Sequence, residues 1–245
     1  MSKVYIFDVD GTLTPSRREM TKDFDDFFFP WANRNMFYLV SGSDLDKIKE
    51  QVPEHILELA QGIFTCGGNK YYIGDDLVYE HKFEPPDDLI TYLEHQLEIA
   101  QFLARCGNHI ENRGAMLNFS VVGRDCSLDK RKLYFEYDKK NNEREDIAKA
   151  IKLRWPKLDA VIGGQISIDI APKGNDKSQV IKRVKVNNPG CEYIFIGDRT
   201  QEGGNDYPLA KVMDEMEDCD WYQAGEPSSE DGYIRTREIL EELND

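Results

Sequence analysis

Two aspartates one residue apart give the strongest chemical signal in this sequence. Asp8 and Asp10 lie in the segment FDVDGTLT (7–14), directly after the apolar run KVYIF (3–7). Two carboxylates this close are costly to ionise together unless a cation lies between them, which favours a hard, oxygen-seeking ion such as Mg²⁺. One carboxylate could then attack phosphorus while the other, when protonated, donates to the leaving oxygen. A solvated acidic turn is the alternative, but the complete pattern after an apolar strand favours phosphoryl transfer.

Polar residues after other predicted strands supply what this chemistry lacks. Ser41 and Ser43 follow the second apolar run, where a hydroxyl and the start of a helix capped by Ser43 could bind phosphate oxygens. Lys177 could neutralise a five-coordinate phosphoryl group as a point charge. A lone serine or lysine of this kind could equally be a helix cap or a surface residue.

A third polar segment is predicted to complete the metal site. Asp198 ends a predicted strand and is expected to bind the metal together with Asp8 and Asp10. Asn205 and Asp206, in the string GGND (203–206), are expected to support the metal or the lysine from close by.

Three arginines stand out because the chain is strongly acidic. Its 31 Lys and Arg face 46 Asp and Glu, a net charge of -15, so an anionic substrate must be attracted by a local basic cluster. Arg113, Arg124 and Arg131 lie in one short region and are predicted to form that cluster, with simple surface pairing as the alternative. Ser167 and Asp169 alternate with Gln165 along a predicted strand, where they could bind sugar hydroxyls.

These residues require a particular set of elements to position them. Short apolar strands alternate with helices at both ends of the chain, which predicts a parallel α/β core at 1–83 and 175–245. Between them, 84–174 reads as an inserted α+β cap with an antiparallel sheet plus helices, including a long helix from Asp87 to Ala104. Pro30 is expected to end or kink the first helix.

Composition excludes several classes of partner. The negative charge disfavours nucleic acid and anionic membranes, and no apolar run is long enough to span a bilayer. The five cysteines are scattered, which predicts free thiols in a reducing compartment and hence a cytoplasmic protein.

In combination the four core motifs resemble the haloacid dehalogenase (HAD) superfamily, with its Rossmannoid core. The cap motifs narrow the resemblance to the eukaryotic-type phosphomannomutase family. The matching segments are FDVDGTLT (7–14), GSD (42–44), RGAMLN (113–118), GRDCS (123–127), GGQIS (163–167) and GDRTQEGGND (197–206).

The resemblance implies roles for particular residues. Asp8 would carry the phosphoaspartate, and Asp10 would be the acid and base. Phosphate and sugar would be held by Arg17 (or Arg18), Arg113, Arg124, Arg131, Ser167 and Asp169. A hexose 1,6-bisphosphate would prime Asp8 as activator, and mannose 6-phosphate and mannose 1-phosphate would interconvert to feed GDP-mannose synthesis. A homodimer formed through the cap is also implied.

Two other functions stay open. A sugar-phosphate phosphatase would use the same Asp8 chemistry, and Ser41 favours it because the mutases have glycine there. A non-enzymatic binding module would need damage to the catalytic set, yet Asp8, Asp10, Lys177 and Asp198 are all present. The segment CGGN (66–69) also departs from the family. The region after Asp206 lacks the family's usual second cation loop, so the presence of a second cation site stays open.

Overall fold

A computed structural model describes residues 2–227 and 229–243. It separates two compact units: one combines the residues up to Glu80 with those from Asp176 onward, and the other is His81–Asn175. The first unit is therefore built from two distant segments, and the second is continuous. The predicted cap, 84–174, lies within the second unit, and its role in substrate choice stays a prediction.

The elements are numbered in chain order. The strands are β1 Lys3–Asp8, β2 Met36–Val40, β3 Ile63–Thr65, β4 Lys70–Ile73, β5 Asp76–Glu80, β6 Ile110–Asn112, β7 Leu117–Phe119, β8 Leu158–Gly163, β9 Ser167–Pro172, β10 Glu192–Gly197 and β11 Cys219–Gln223. The helices are α1 Lys22–Ala32, α2 Leu45–Gln51, α3 Glu54–Leu57, α4 Asp87–Ile99, α5 Leu128–Asn141, α6 Glu143–Arg154, α7 Gln179–Asn187, α8 Tyr207–Met213 and α9 Gly232–Glu242.

The first unit contains a seven-stranded sheet in the order β11-β10-β1-β2-β3-β4-β5. The five strands from β11 to β3 are parallel, and β4 and β5 add an antiparallel edge. Parallel strands need apolar cover on both faces. Tyr5 and Phe7 of β1 pack on one face with Trp31 of α1, while Val4 and Ile6 face the opposite cluster. The predicted parallel core is confirmed.

The second unit has a four-stranded antiparallel sheet in the order β6-β7-β9-β8, as predicted. Its apolar core joins strands β7 and β9 to α4, α5 and α6. A buried ion pair stabilises this unit, because Arg144 Nε donates to Asp138 Oδ2 at 2.7 Å and Arg144 Nη1 donates to the carbonyl of Gly164 at 2.9 Å. Arg144 thereby fixes the turn between β8 and β9.

One predicted helix end was wrong, and Pro30 lies inside the first helix. Pro30 does not end α1, which continues to Ala32. A proline so near a helix end removes only one hydrogen bond, and Trp31 and Ala32 beyond it are buried in the core. The helix from Asp87 ends at Ile99 instead of Ala104. At that end the Arg105 guanidinium donates to the carbonyls of Leu97 and Ala100, in place of a further helical turn. Leu103, beyond the helix, is 91% exposed.

Among the described residues, no helix has the length and apolar character needed to cross a membrane.

Candidate active site

The loop after β1 is held in one tight conformation. Gly11 has φ +81, and a Cβ atom there would lie 2.7 Å from Asp198 Oδ2, so only glycine lets the loop approach that carboxylate. The Thr236 hydroxyl on α9 donates to the carbonyl of Thr12 at 2.8 Å. These contacts place Asp8, which ends β1 and is 3% exposed, at the carboxyl edge of the parallel sheet.

Lys177 binds two of the buried carboxylates. Its Nζ lies 2.6 Å from Asp8 Oδ1 and 2.5 Å from Asp206 Oδ1, and the lysine itself is 1% exposed. Burial alone lowers the pKa of this lysine, but the carboxylates of Asp206 and Asp8 outweigh burial and raise its pKa above the usual value. Lys177 is therefore a fixed positive charge beside Asp8.

Asp8, Asp198 and Asp206 form a buried acidic cluster whose oxygens lie within 4.8 Å of one another. Burial raises the pKa of Asp8 well above its usual value; Lys177 opposes this shift, and Asp206 and Asp198 add to it. One lysine cannot balance three carboxylates. The cluster thus has the oxygen donors and the charge deficit that suit a divalent cation.

Two buried polar atoms near the cluster fit the same reading. Thr12 Oγ1 and Asn205 Oδ1 have no hydrogen-bond partner among the described residues. Buried oxygens of this kind are normally satisfied, so they are available to a metal-bound water or to a phosphate. Asp206 has a further structural task, because its Oδ2 accepts the Arg199 peptide N–H at 3.0 Å.

The Asp10 carboxylate is not a member of this acidic cluster, and its role as a metal ligand stays a prediction. Its Oδ1 accepts the Arg17 peptide N–H at 2.7 Å and the Gln51 side-chain amide at 3.0 Å. Asp206, predicted only as a supporting residue, is a member of the cluster. A hydrogen-bonded carboxylate beside Asp8 is what the predicted acid and base would require.

The two predicted serines, Ser41 and Ser43, contact each other, and Ser43 also contacts Arg17. Ser41 is buried, and its Oγ accepts the Ser43 peptide N–H at 3.0 Å. Ser43 does not cap α2, because Asp44 performs that function by accepting the Lys47 peptide N–H at 2.9 Å. The Ser43 hydroxyl instead lies 3.5 Å from Arg17 Nη1, so both predicted phosphate-binding residues meet.

In the second unit the predicted arginines do cluster. Arg113 donates twice to Glu111 Oε2, at 2.8 and 2.5 Å, and Arg124 Nε lies 3.7 Å from the same oxygen. Arg131 Nη2 donates to the carbonyl of Arg124 at 2.8 Å. Glu111 therefore connects two arginines whose guanidinium planes can bind phosphate in a bidentate manner.

Sugar-binding candidates lie next to these arginines. Arg124 Nη1 donates to Ser167 Oγ at 2.9 Å, and Asn118 Nδ2 donates to Asp169 Oδ1 at 2.5 Å. Ser167 and Asp169 share one face of β9, as predicted. Gln165 does not, because it lies in the turn between β8 and β9.

Sequence reasoning missed Gln51 and Glu111. Neither belongs to a motif with chemical meaning. Gln51 contacts Asp10, 41 residues away in the chain, and Glu111 contacts Arg124 in the loop between β7 and α5. The acidic chain has 46 Asp and Glu, so nothing marked Glu111 among them.

Comparison with known proteins gives consistent results. The family model described as "Eukaryotic phosphomannomutase" matches residues 24–217. A phosphomannomutase of Encephalitozoon cuniculi is 38% identical over 226 residues, covering 86% of this chain and 85% of that protein. A phosphomannomutase of Arabidopsis thaliana is 34% identical over 222 residues, covering 84% and 86%.

Solved structures share the fold at low identity. The HAD subclass IIB sugar phosphatase BT4131 superposes with a TM-score of 0.62 at 14% identity, covering 99% of both chains. The C-terminal domain of the C. albicans trehalose-6-phosphate phosphatase gives 0.63 at 13% identity, covering 99% of this chain and 93% of that one. These likenesses establish a HAD-type fold. The match to the family model, together with the sequence identities, shows that this chain belongs to the eukaryotic phosphomannomutase family of enzymes.

Proposed function

We propose that this enzyme interconverts mannose 6-phosphate and mannose 1-phosphate by way of a phosphoryl group carried on Asp8. Support comes from the family, and above all from Lys177 Nζ, 2.6 Å from Asp8 Oδ1, which holds a buried carboxylate at the carboxyl edge of the sheet. A carboxylate fixed in this way is a suitable nucleophile toward phosphorus.

In the proposed reaction Asp8 attacks the phosphoryl group of a hexose bisphosphate or monophosphate. Lys177 would offset the negative charge that develops on the phosphoryl oxygens, and Asp10 would exchange a proton with the sugar oxygen. Ser41 and Ser43 would bind phosphoryl oxygens. The sugar accepts a phosphoryl group from Asp8 at one end, and Asp8 then takes the phosphoryl group from the other end.

The acidic cluster supports Mg²⁺ as the cofactor. Asp8, Asp10 and Asp198 would hold the ion, and Asn205 and Asp206 would support it from beside them. A bound Mg²⁺ would neutralise carboxylate and phosphoryl charge. Without that positive charge, Asp8 is costly to ionise.

We assign the phosphate that is not being transferred to Arg113, Arg124 and Arg131, with Arg17 as a further phosphate-binding residue. Ser167 and Asp169 would bind sugar hydroxyls. A strongly acidic chain needs such a local cationic cluster for an anionic substrate.

A coupled assay tests this proposal. Purified protein with Mg²⁺ is given mannose 1-phosphate, and mannose 6-phosphate is measured with and without a catalytic amount of hexose 1,6-bisphosphate. We expect conversion that the bisphosphate strongly stimulates. Release of inorganic phosphate without conversion of either ester would refute the mutase activity.

That last outcome would instead support a sugar-phosphate phosphatase. One observation favours this second candidate: Ser41 has a buried hydroxyl, whose oxygen accepts the Ser43 peptide N–H. The same assay separates the two enzymes, because a mutase conserves the ester while a phosphatase liberates phosphate.

A cytoplasmic location and a homodimer formed through the cap remain proposals. No disulfide joins the five cysteines, which suits a reducing compartment. Sedimentation of the full chain, compared with a monomer of 28.3 kDa, tests the dimer.

A further inference from the structure

Gln51, the last residue of α2, has a side-chain amide that faces three oxygen atoms. Its Nε2 lies 3.0 Å from Asp10 Oδ1, 3.3 Å from Thr14 Oγ1 and 3.4 Å from the carbonyl oxygen of Arg18. The orientation of the amide follows from its neighbours, because the carboxylate and the carbonyl can only accept hydrogen bonds. Gln51 is 2% exposed, so solvent does not provide an alternative partner.

Arg17 supplies a second donor to the same carboxylate oxygen. Its φ is +63, a left-handed conformation that few residues other than glycine adopt, and its peptide N–H points at Asp10 Oδ1 from 2.7 Å. Such backbone strain persists only where the surroundings fix it. Gln51 contributes to that restraint, since its own carbonyl accepts the Met20 peptide N–H at 2.7 Å and its side chain contacts Arg18.

We propose that Gln51 is a positioning residue for Asp10. Together with the Arg17 peptide N–H it holds Oδ1, so Oδ2 is the oxygen that exchanges protons with the substrate. A carboxyl oxygen that accepts two N–H groups cannot at the same time hold and deliver the acidic proton in a useful direction. The Arg17 guanidinium lies near Oδ2, with Nε at 3.9 Å. This inference rests on the roles of Asp8 and Asp10 proposed above.

The proton balance of each half-reaction follows from this assignment. When Asp8 attacks phosphorus, the bond from phosphorus to the sugar oxygen breaks and that oxygen takes the proton from Asp10 Oδ2. In the return step the sugar hydroxyl gives its proton to Oδ2, its oxygen bonds to phosphorus, and the bond to Asp8 breaks. Lys177 keeps its proton throughout.

The test compares two substrates in Gln51→Met, which keeps the length of the side chain and removes the N–H donors. Release of a sugar oxygen needs a proton, but 4-nitrophenolate leaves without one. With mannose 1-phosphate we expect kcat to fall roughly 10- to 100-fold, with KM changed less than about threefold. The single-turnover release of 4-nitrophenolate from 4-nitrophenyl phosphate should stay within about threefold of the wild-type rate.

Gln61→Met is the matched control, because Gln61 is an exposed glutamine of the same unit. It should leave both rates unchanged. Equal losses on both substrates in Gln51→Met, or no loss on the sugar phosphate, would overturn the proposal. Gln51→Leu removes the same donors with a shorter apolar side chain. It should show the same difference between the two substrates, which covers the case that Gln51→Met does not fold.

Failure of the mutase proposal would be recognised separately. The wild-type enzyme would then only release phosphate from sugar phosphates. The effect of Gln51→Met on that release can still be compared with its effect on 4-nitrophenyl phosphate, because the leaving sugar oxygen needs the same proton.

Discussion

Asp8 combines two requirements that oppose each other. Its burial keeps water away from the nucleophile, yet burial and the neighbouring Asp206 and Asp198 raise its pKa against the effect of Lys177. A buried carboxylate in this position is costly until positive charge is added. Removal of the Asp8 carboxylate charge should therefore raise the stability of the metal-free protein while it abolishes catalysis.

Asp8→Asn should abolish turnover, by at least about 10⁴-fold, because the nucleophile is lost. In the metal-free protein it should also raise the unfolding temperature at neutral pH. Because the folded-state pKa of Asp8 is raised, the native protein binds a proton that the unfolded chain has released, and stability falls as pH rises between the two pKa values. Asparagine does not ionise, so the variant does not lose stability in this way as the pH rises. For a chain of this size, each kcal/mol gained corresponds to about 2–4 °C.

Thermal scans in EDTA, run from pH 5 to pH 8, would measure this effect. The wild type should lose stability over that range more steeply than the variant, and Mg²⁺ should stabilise the wild type more than Asp8→Asn. A metal-free variant less stable than the wild type at pH 8 would contradict the argument.

At the residue scale, sequence reasoning was effective where a short motif ends a strand. The sequence predicted that Asp8, Lys177, Asp198 and Asp206 belong together, and the structure brings them together. Gln51 could not be found in the same way. Its contact with Asp10 depends on the path of the loop 15–20. In that loop Arg17 has a left-handed backbone conformation that no turn motif in the sequence predicts.

At the element scale, strands were easier to predict than helix ends. β7 and β9 alternate apolar with polar residues, so both their position and their polar face followed from the sequence. The end of α4 depends on a side chain outside the helix, Arg105, which contacts the carbonyls of its last turn. Hydrophobic spacing carries no information about such a contact.

One acid of β6, Glu111, contacts two arginines of the cluster. Glu111→Ala should raise KM for mannose 1-phosphate about tenfold, because the carboxylate orients Arg113 and Arg124, and hydrogen bonds to charged groups contribute about 1.5–3 kcal/mol. The rate with 4-nitrophenyl phosphate should not change, because its one phosphate is the group transferred to Asp8 and none is left for the arginines. The phosphate of mannose 1-phosphate would instead bind the arginines while the sugar accepts a phosphoryl group from Asp8. Steady-state kinetics on both substrates measure this.

Glu145→Ala provides the comparison, since Glu145 is an exposed acid of the same unit, paired only with Lys149. It should have no effect on either substrate. A Glu111 variant with normal KM would show that the arginines are oriented by other contacts.

At the scale of the whole molecule, the two units differ in how their chain is arranged. His81–Asn175 is continuous and has its own apolar core and its own buried ion pair. A domain of this length can fold by itself. The sequence predicted an inserted segment because the alternation of short apolar strands and helices is interrupted in the middle of the chain. The precise limits of each unit depend on packing.

We therefore expect the isolated fragment 81–175 to fold. It should show a cooperative thermal transition and dispersed amide signals in solution NMR. As a control, Arg144→Met in the fragment should destabilise it by about 3–5 kcal/mol, because Asp138 is left buried and unpaired. A fragment without a cooperative transition would show that this unit needs the rest of the chain.

The position of β1 in its sheet has a consequence for synthesis on the ribosome. β1 lies between β2 and β10, so one of its edges has no partner until residues 192–197 have been made. At 5–20 residues per second, the delay is roughly 10–40 s. For that time a nearly wholly apolar strand presents an open edge to other nascent chains, which is a recognised route to aggregation. The inserted unit can fold during this interval, so the growing polypeptide gains a compact, charged neighbour before its central strand is closed.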